Sequence, residues 1–189
     1  MVFAMTCAAV DFWTGMLREL PQLADMRENI MGLHGKMVPA KRTGTYDRFV
    51  KLEVSDCVLQ HSDLLSSKRL TGGVAQRGVL ICTDVAARGI DIPDVDWIVQ
   101  YDAPKDPSFF IHRVGRTARA GRAGRALVML SGEEDAFVNF LELKNVPMTA
   151  LAPYQDVEDV LEAMKNCVKT DRVRLTSPQV VSEPAPYAT

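Results

Sequence analysis

Three short, almost unbroken apolar runs constrain this fold more than any other feature: GVLICT at 78–83, WIVQY at 97–101 and ALVML at 126–130. Such runs show no inside-outside alternation, so they suit strands buried on both faces of a parallel sheet. Parallel strands need long crossovers, usually helical, and helical patterns lie between the runs. After VFAM at 2–5, the residues Ala8, Ala9, Val10, Phe12, Trp13, Met16, Leu17 and Leu20 paint one helix face. After the strand-like stretch Asn29–Leu33, Pro39 opens a second helix through Tyr46, Phe49 and Val50. Further helices are expected near 84–88, 108–114 and 133–143, the last with Ser131 and Glu134 at capping-box spacing. Asp156 opens another apolar face, with Val157, Val160, Leu161, Met164 and Val168. The class is therefore α/β: a parallel sheet with helices on both faces and right-handed crossovers.

With 189 residues, 47% of them hydrophobic, the chain can bury one domain core and leave a few tens of residues over. Residues 1–150 are expected to form that domain, interrupted by an inserted mobile loop at 53–78, where SSKRLTGG breaks the periodicity. A C-terminal helix at 151–170 and a disordered tail at 171–189, rich in proline, follow. The formal charge of −2 confines any polyanion site to a local patch. HRVGRTARAGRAGR at 112–125 is that patch: it has an arginine at every third position, and no acidic residue stands between Pro107 and Gly132. Four cysteines without a CxxC pair and three scattered histidines give neither a metal site nor a disulfide framework, which fits a reducing, intracellular compartment. No apolar run approaches the roughly 18 residues of a membrane span.

In open α/β sheets, ligands sit beyond the carboxyl ends of the strands. Thr6 follows VFAM, Thr83 and Asp84 follow GVLIC, and Asp102 follows WIVQY. A threonine hydroxyl there can hold a phosphate oxygen or can cap a helix, and each residue alone leaves both readings open. TDVAARGIDIP at 83–93 adds Arg88, Gly89 and Asp91 within eleven positions.

TDVAARGID and HRVGRTARAGR resemble the fifth and sixth motifs of the DEAD-box RNA helicases. VFAMTCAAVDFW is similar to the family's fourth motif, and LHGKMVPAKRTGTYDRF to the segment that follows it. The likeness covers residues 1 to about 150 apart from the loop at 53–78, which is longer than usual for the family. WIVQYDAPKDPSFFIHRVGRTAR and EEDAFVNFLELKNVPM look most like the nucleolar helicases that assist large ribosomal subunit assembly. That implies a nuclear or nucleolar protein with pre-ribosomal partners. The sequence contains neither GxxxxGK[ST] nor an Asp-Glu-Ala-Asp stretch. The resemblance therefore implies the second, RecA-like half of a two-domain motor, P-loop NTPase-type in fold. ATP and magnesium would be held largely by an N-terminal RecA-like domain of the same protein, acting as a monomer.

Carried over by motif, Arg116 and Arg119 are expected at the γ-phosphate as arginine fingers, Asp91 at the ribose, and Gly89 where backbone approaches nucleotide. Thr83, Arg42, Gly35 and Thr6 are expected on the phosphates and 2'-hydroxyls of one RNA strand, contacts that read shape and not sequence. Asp84, His112 and Arg113 are expected to couple the two sites, with Arg113 paired to Asp84. His34 reads as structural, and Trp13 and Trp97 as core or sheet residues. By itself the chain is expected to bind ATP and RNA weakly and to hydrolyse nothing. The alternative is a non-catalytic RNA- or protein-binding module that keeps the fold and uses the acidic helix near 133–142 or the long loop.

Overall fold

The computed structural model describes residues 1–53, 77–84, 94–119, 121–131, 134–152 and 160–170. Among these residues the strands are β1 (Val2–Phe3), β2 (Ile30–Leu33), β3 (Val79–Cys82), β4 (Trp97–Gln100) and β5 (Arg125–Val128). They form one wholly parallel sheet in the order β2-β3-β1-β4-β5. The helices are α1 (Cys7–Glu19), α2 (Pro39–Glu53), α3 (Ser108–Val114), α4 (Asp135–Leu143) and α5 (Leu161–Thr170). Of the expected 53–78 loop, residues 54–76 lie outside the described residues, as do 153–159 and the tail at 171–189.

The parity of each strand explains the unbroken apolar runs. Phe3, Met31, Leu33, Leu80, Cys82 and Ile98 pack on one face with Phe49 of α2, backed by Tyr46 and Leu52. Ala4, Ile30 and Ile81 pack on the other with Val10 of α1, backed by Val2, Trp13, Leu17 and Val79. Successive side chains point to opposite faces, so a strand covered on both sides is apolar at nearly every position. Each large side chain removed from water in this way contributes about 1.5–3 kcal/mol. Gly32 on β2 lets α1 come close: a Cβ there would lie 2.6 Å from Thr14 Oγ1.

Three sequence readings are corrected. The ALVML run is not covered on both faces: it belongs to β5, an edge strand whose Arg125 and Ala126 are exposed and whose Leu127 and Val128 are only half-buried. Edge position alone does not uncover a strand, since β2 at the other edge buries Ile30, Met31 and Leu33; how far the faces of β5 are covered depends on elements distant in sequence, which hydrophobicity alone does not reveal. The helix expected from 133 starts at Asp135. Glu134 does reach back to accept from the Ser131 N–H at 2.7 Å, but the Ser131 hydroxyl donates to that carboxylate at 3.0 Å and does not cap the helix. The periodicity also missed a 3₁₀ segment at Pro21–Asn29, which Pro21 opens directly after α1.

The parallel register sets the strand ends in a row. Leu33 and Phe3 both stand opposite Cys82, Phe3 opposite Gln100, and Gln100 opposite Val128. The ladder runs one residue further through Ala4 N–H to Cys82 O (2.9 Å), Thr83 N–H to Leu33 O (3.3 Å) and Tyr101 N–H to Phe3 O (3.0 Å). The residues that follow the strands therefore share one edge of the sheet. Among the described residues no helix is long and apolar enough to cross a membrane.

Candidate functional site

Arg113 is the centre of that edge. It sits in the last turn of α3, a helix whose start is held by the Asp106 carboxylate accepting from the Ser108 N–H at 2.9 Å. That hydrogen bond keeps the Asp106 pKa below its usual value. The Arg113 guanidinium is 3% exposed. Its Nε and Nη2 fork onto both oxygens of Asp84 at 2.7 and 2.6 Å, just past the end of β3. Its Nη1 donates to Gln100 Oε1 at 3.0 Å and to the Asp102 carbonyl at 2.9 Å. Its charge also lies 4.9 Å from the Phe3 ring centroid on β1. A buried guanidinium stays charged, so it persists here only because a carboxylate and further acceptors replace its water. One side chain thus ties together the ends of β3, β4 and β1, and the Arg113–Asp84 pairing expected from sequence is present.

After Gly115 the chain folds into a tight loop. Arg116 N–H returns to Arg113 O at 3.1 Å, Val95 N–H donates to Arg116 O at 3.0 Å, and the Thr117 hydroxyl donates to Val95 O. Ala118 adopts φ 56° and Gly121 φ 79°. Gly124 is pressed against the loop so closely that a Cβ there would lie 2.6 Å from the Ala118 nitrogen. The five arginines consequently occupy different environments. Arg116 and Arg119 are half-buried. Arg119 Nε donates to Gly115 O at 2.7 Å, while the Arg116 guanidinium has no hydrogen bond to another described residue. Arg122 Nε meets Asp94 at 3.0 Å, and Arg125 lies over Trp97, 5.3 Å from its ring centroid. His112 is exposed, its ring 6.1 Å from that of Phe109.

The residues expected to face RNA divide by environment. Thr83 is 5% exposed, and its hydroxyl has no partner among the described residues. Thr6 is exposed and caps α1, its Oγ1 accepting from the Ala9 N–H at 3.0 Å. Gly35 is exposed just past β2, and Arg42 is half-buried in the first turn of α2. Thr6, Gly35 and Thr83 therefore follow β1, β2 and β3, which are neighbours in the sheet. His34 is buried with Nε2 3.0 Å from the Asp11 carboxylate. Trp13 sits partly buried with its ring 5.0 Å from that of Tyr101. Gly89 and Asp91 lie outside the described residues. Burial pushes the Cys82 thiol up to about 12, so it stays neutral beneath this edge.

Two participants were missed from sequence. Gln100 is fully buried yet polar, and the one polar residue inside WIVQY was the available signal. Asp94 holds the arginine loop through the Arg119 N–H at 3.0 Å, and no sequence spacing announces that contact.

Residues 68–121 match the family model described as "Helicase conserved C-terminal domain". The chain is 41% identical over 171 residues to the ATP-dependent rRNA helicase SPB4 of Mycosarcoma maydis, covering 90% of this chain and 20% of that protein. It is 39% identical over 171 residues to DEAD-box ATP-dependent RNA helicase 18 of Arabidopsis thaliana, covering 90% of this chain and 25% of that protein. The chain carries a helicase C-terminal domain of the DEAD-box family. Among solved structures, the domain superposes on the Mss116p DEAD-box helicase domain 2 bound to an RNA duplex with a TM-score of 0.65 and 26% identity. That match covers 92% of this chain and 58% of the other. The fold is accordingly RecA-like. The domain spans about a fifth to a quarter of the length of the two curated relatives.

Proposed function

We propose that this domain is the second half of an ATP-dependent RNA helicase acting on ribosomal RNA during ribosome assembly in the nucleolus. The observation that carries the reading is the bonded path along the strand ends. Thr83 is adjacent to Asp84, Asp84 is forked by Arg113, and the chain leaving Arg113 leads within six residues to Arg116 and Arg119. In this reading a group on the RNA side and two on the nucleotide side are tied to one hub, the arrangement a coupled motor needs.

In this reading Arg116 and Arg119 are the arginine fingers that stabilise charge on the transferred phosphoryl group of ATP, with Asp91 and Gly89 at the ribose and nucleotide backbone. Guanidinium fits that task because it stays charged and forks onto oxygens. Both side chains are half-buried, within reach of a ligand and restrained by the loop. Among the described residues no group of three His, Cys, Asp or Glu could hold a metal ion. We place the magnesium ligands, with the phosphate loop, on an N-terminal RecA-like domain of the same protein. Thr83, Gly35, Thr6 and Arg42 hold one RNA strand by its phosphates and 2'-hydroxyls. Asp84, Arg113 and His112 transmit domain closure between the two sites, and pre-ribosomal proteins are partners of the whole assembly.

The test is Arg116→Ala or Arg119→Ala in the full-length protein. RNA-stimulated ATP hydrolysis is expected to fall by roughly 10³-fold or more, the scale of a lost arginine finger. A rate within a few-fold of the unaltered protein removes the assignment.

A further inference from the structure

We propose that Asp94 is the positioning residue of the arginine loop, gripping the Arg119 backbone so that its guanidinium starts from a fixed point. This inference rests on the reading of Arg119 as a nucleotide-facing finger. The Asp94 side chain is 8% exposed, against 69% for its ion-pair partner Arg122. One carboxylate oxygen accepts from the Arg119 N–H at 3.0 Å, and the other meets Arg122 Nε at 3.0 Å. A buried carboxylate needs such donors, and its bond to a backbone amide is charge-assisted.

The loop it holds would not keep this shape unaided. Ala118, immediately before Arg119, sits at φ 56°, in the left-handed region that alanine disfavours. A residue in that region persists where its surroundings over-determine it. Here the surroundings are residues 94–96, which run alongside the loop. Val95 bonds Arg116 and Thr117 on one side, Asp96 O accepts from Arg125 N–H at 3.0 Å on the other, and Asp94 fixes the middle.

The two bonds of Asp94 differ in weight. Arg122 itself is largely in solvent, so holding its long side chain in place costs entropy and water can replace it on the carboxylate. The Arg119 amide bond sets the origin of a side chain whose placement matters most as charge develops in the transition state. Losing it displaces the finger while leaving the other nucleotide contacts in place, so turnover suffers and ATP affinity does not.

The experiment compares Asp94→Ala, Asp94→Asn, Arg122→Ala and Arg116→Ala in the full-length protein, by RNA-stimulated ATPase kinetics, urea unfolding and hydrogen exchange over residues 115–123. Asp94→Ala is expected to lower kcat about 10- to 100-fold, the scale of a misplaced catalytic group. KM for ATP should stay within about twofold, because ground-state binding is untouched. Exchange at the Arg119 amide should quicken by about tenfold, with the urea midpoint retained. Asp94→Asn, which keeps the acceptor, and Arg122→Ala should both stay near the unaltered protein, and either one as slow as Asp94→Ala overturns the proposal. If Asp94→Ala fails to fold, Asp94→Asn and the exchange measurement still decide. An unchanged kcat in Asp94→Ala beside an inactive Arg116→Ala overturns this inference alone. An active Arg116→Ala overturns the function it rests on.

Discussion

Arg113 and Arg116 stand three residues apart in one basic tract, and the fold treats them in opposite ways. Arg113 is 3% exposed with its guanidinium bonded to Asp84, Gln100 and the Asp102 carbonyl. Arg116 is half-buried with no side-chain hydrogen bond to another described residue. α3 ends between them, and the turn at Gly115 redirects the chain from the sheet edge to the loop. The difference teaches that residue type and spacing do not assign a role. An arginine whose donors are satisfied by the fold holds structure together, and one without such partners among the described residues does not carry that load.

Paired measurements can break this contrast. Arg116→Ala should cost roughly 10³-fold or more in ATP turnover by the full-length protein. Yet its unfolding free energy should stay within about 0.5 kcal/mol, as for a surface change away from the core. Arg113→Ala should do the reverse in scale, losing about 3–5 kcal/mol of stability because the Asp84 carboxylate and the Gln100 and Asp102 oxygens lose their donor. Urea titrations of both variants would settle it. Equal stabilities would show that the bidentate pair holds little and that the hub is incidental. Arg113→Lys keeps the charge without the fork and should not restore the loss.

Cys82 sharpens the same contrast from the side of a neutral group. It lies under the site with its thiol pushed up to about 12 by burial, against 9.0 when solvated. The unfolded chain therefore gives up this proton first. The stability tied to the neutral thiol is fully present below about pH 9 and is lost as pH rises towards 12. Urea midpoints measured at pH 8 and pH 10 should drop further for the unaltered protein than for Cys82→Ala. Equal drops would mean that the thiol is wetter than its burial indicates.

Much of the fold was legible because burial on two faces writes itself into sequence. VLIC and WIVQ carry apolar residues on both parities, and the alternation with α1, α2 and α3 followed from it. What escaped was set by neighbours in space. ALVML reads like the central strands, but its place at the sheet edge depends on the order β2-β3-β1-β4-β5, which no local pattern encodes. The site divides along the same line. Thr6, Thr83, Arg116 and Arg119 were singled out as candidates by the motifs around them. Gln100 and Asp94 were not, since their partners lie 13 and 25 residues away. The satisfied hub and the restrained loop are tertiary facts, and the motif letters are only their local ends.

Thr6 poses the smallest and finest test, because one hydroxyl is asked to serve two masters. It caps α1 through the Ala9 N–H, and in the proposed function it also faces RNA. Thr6→Ala should cost about 1 kcal/mol of stability as a lost N-cap, whereas Thr6→Gly should cost only a few tenths. Both delete the same hydroxyl, so if it touches RNA, both should weaken RNA binding alike, by about fivefold for one hydrogen bond. Thr6→Asp keeps a capping oxygen and places a negative charge near phosphates, so stability should hold while RNA affinity falls furthest. Salt titrations of RNA binding for the three variants, beside their urea midpoints, separate the roles. If RNA affinity tracks stability across the set, Thr6 is a helix cap and nothing more, and the RNA-facing edge begins at Thr83.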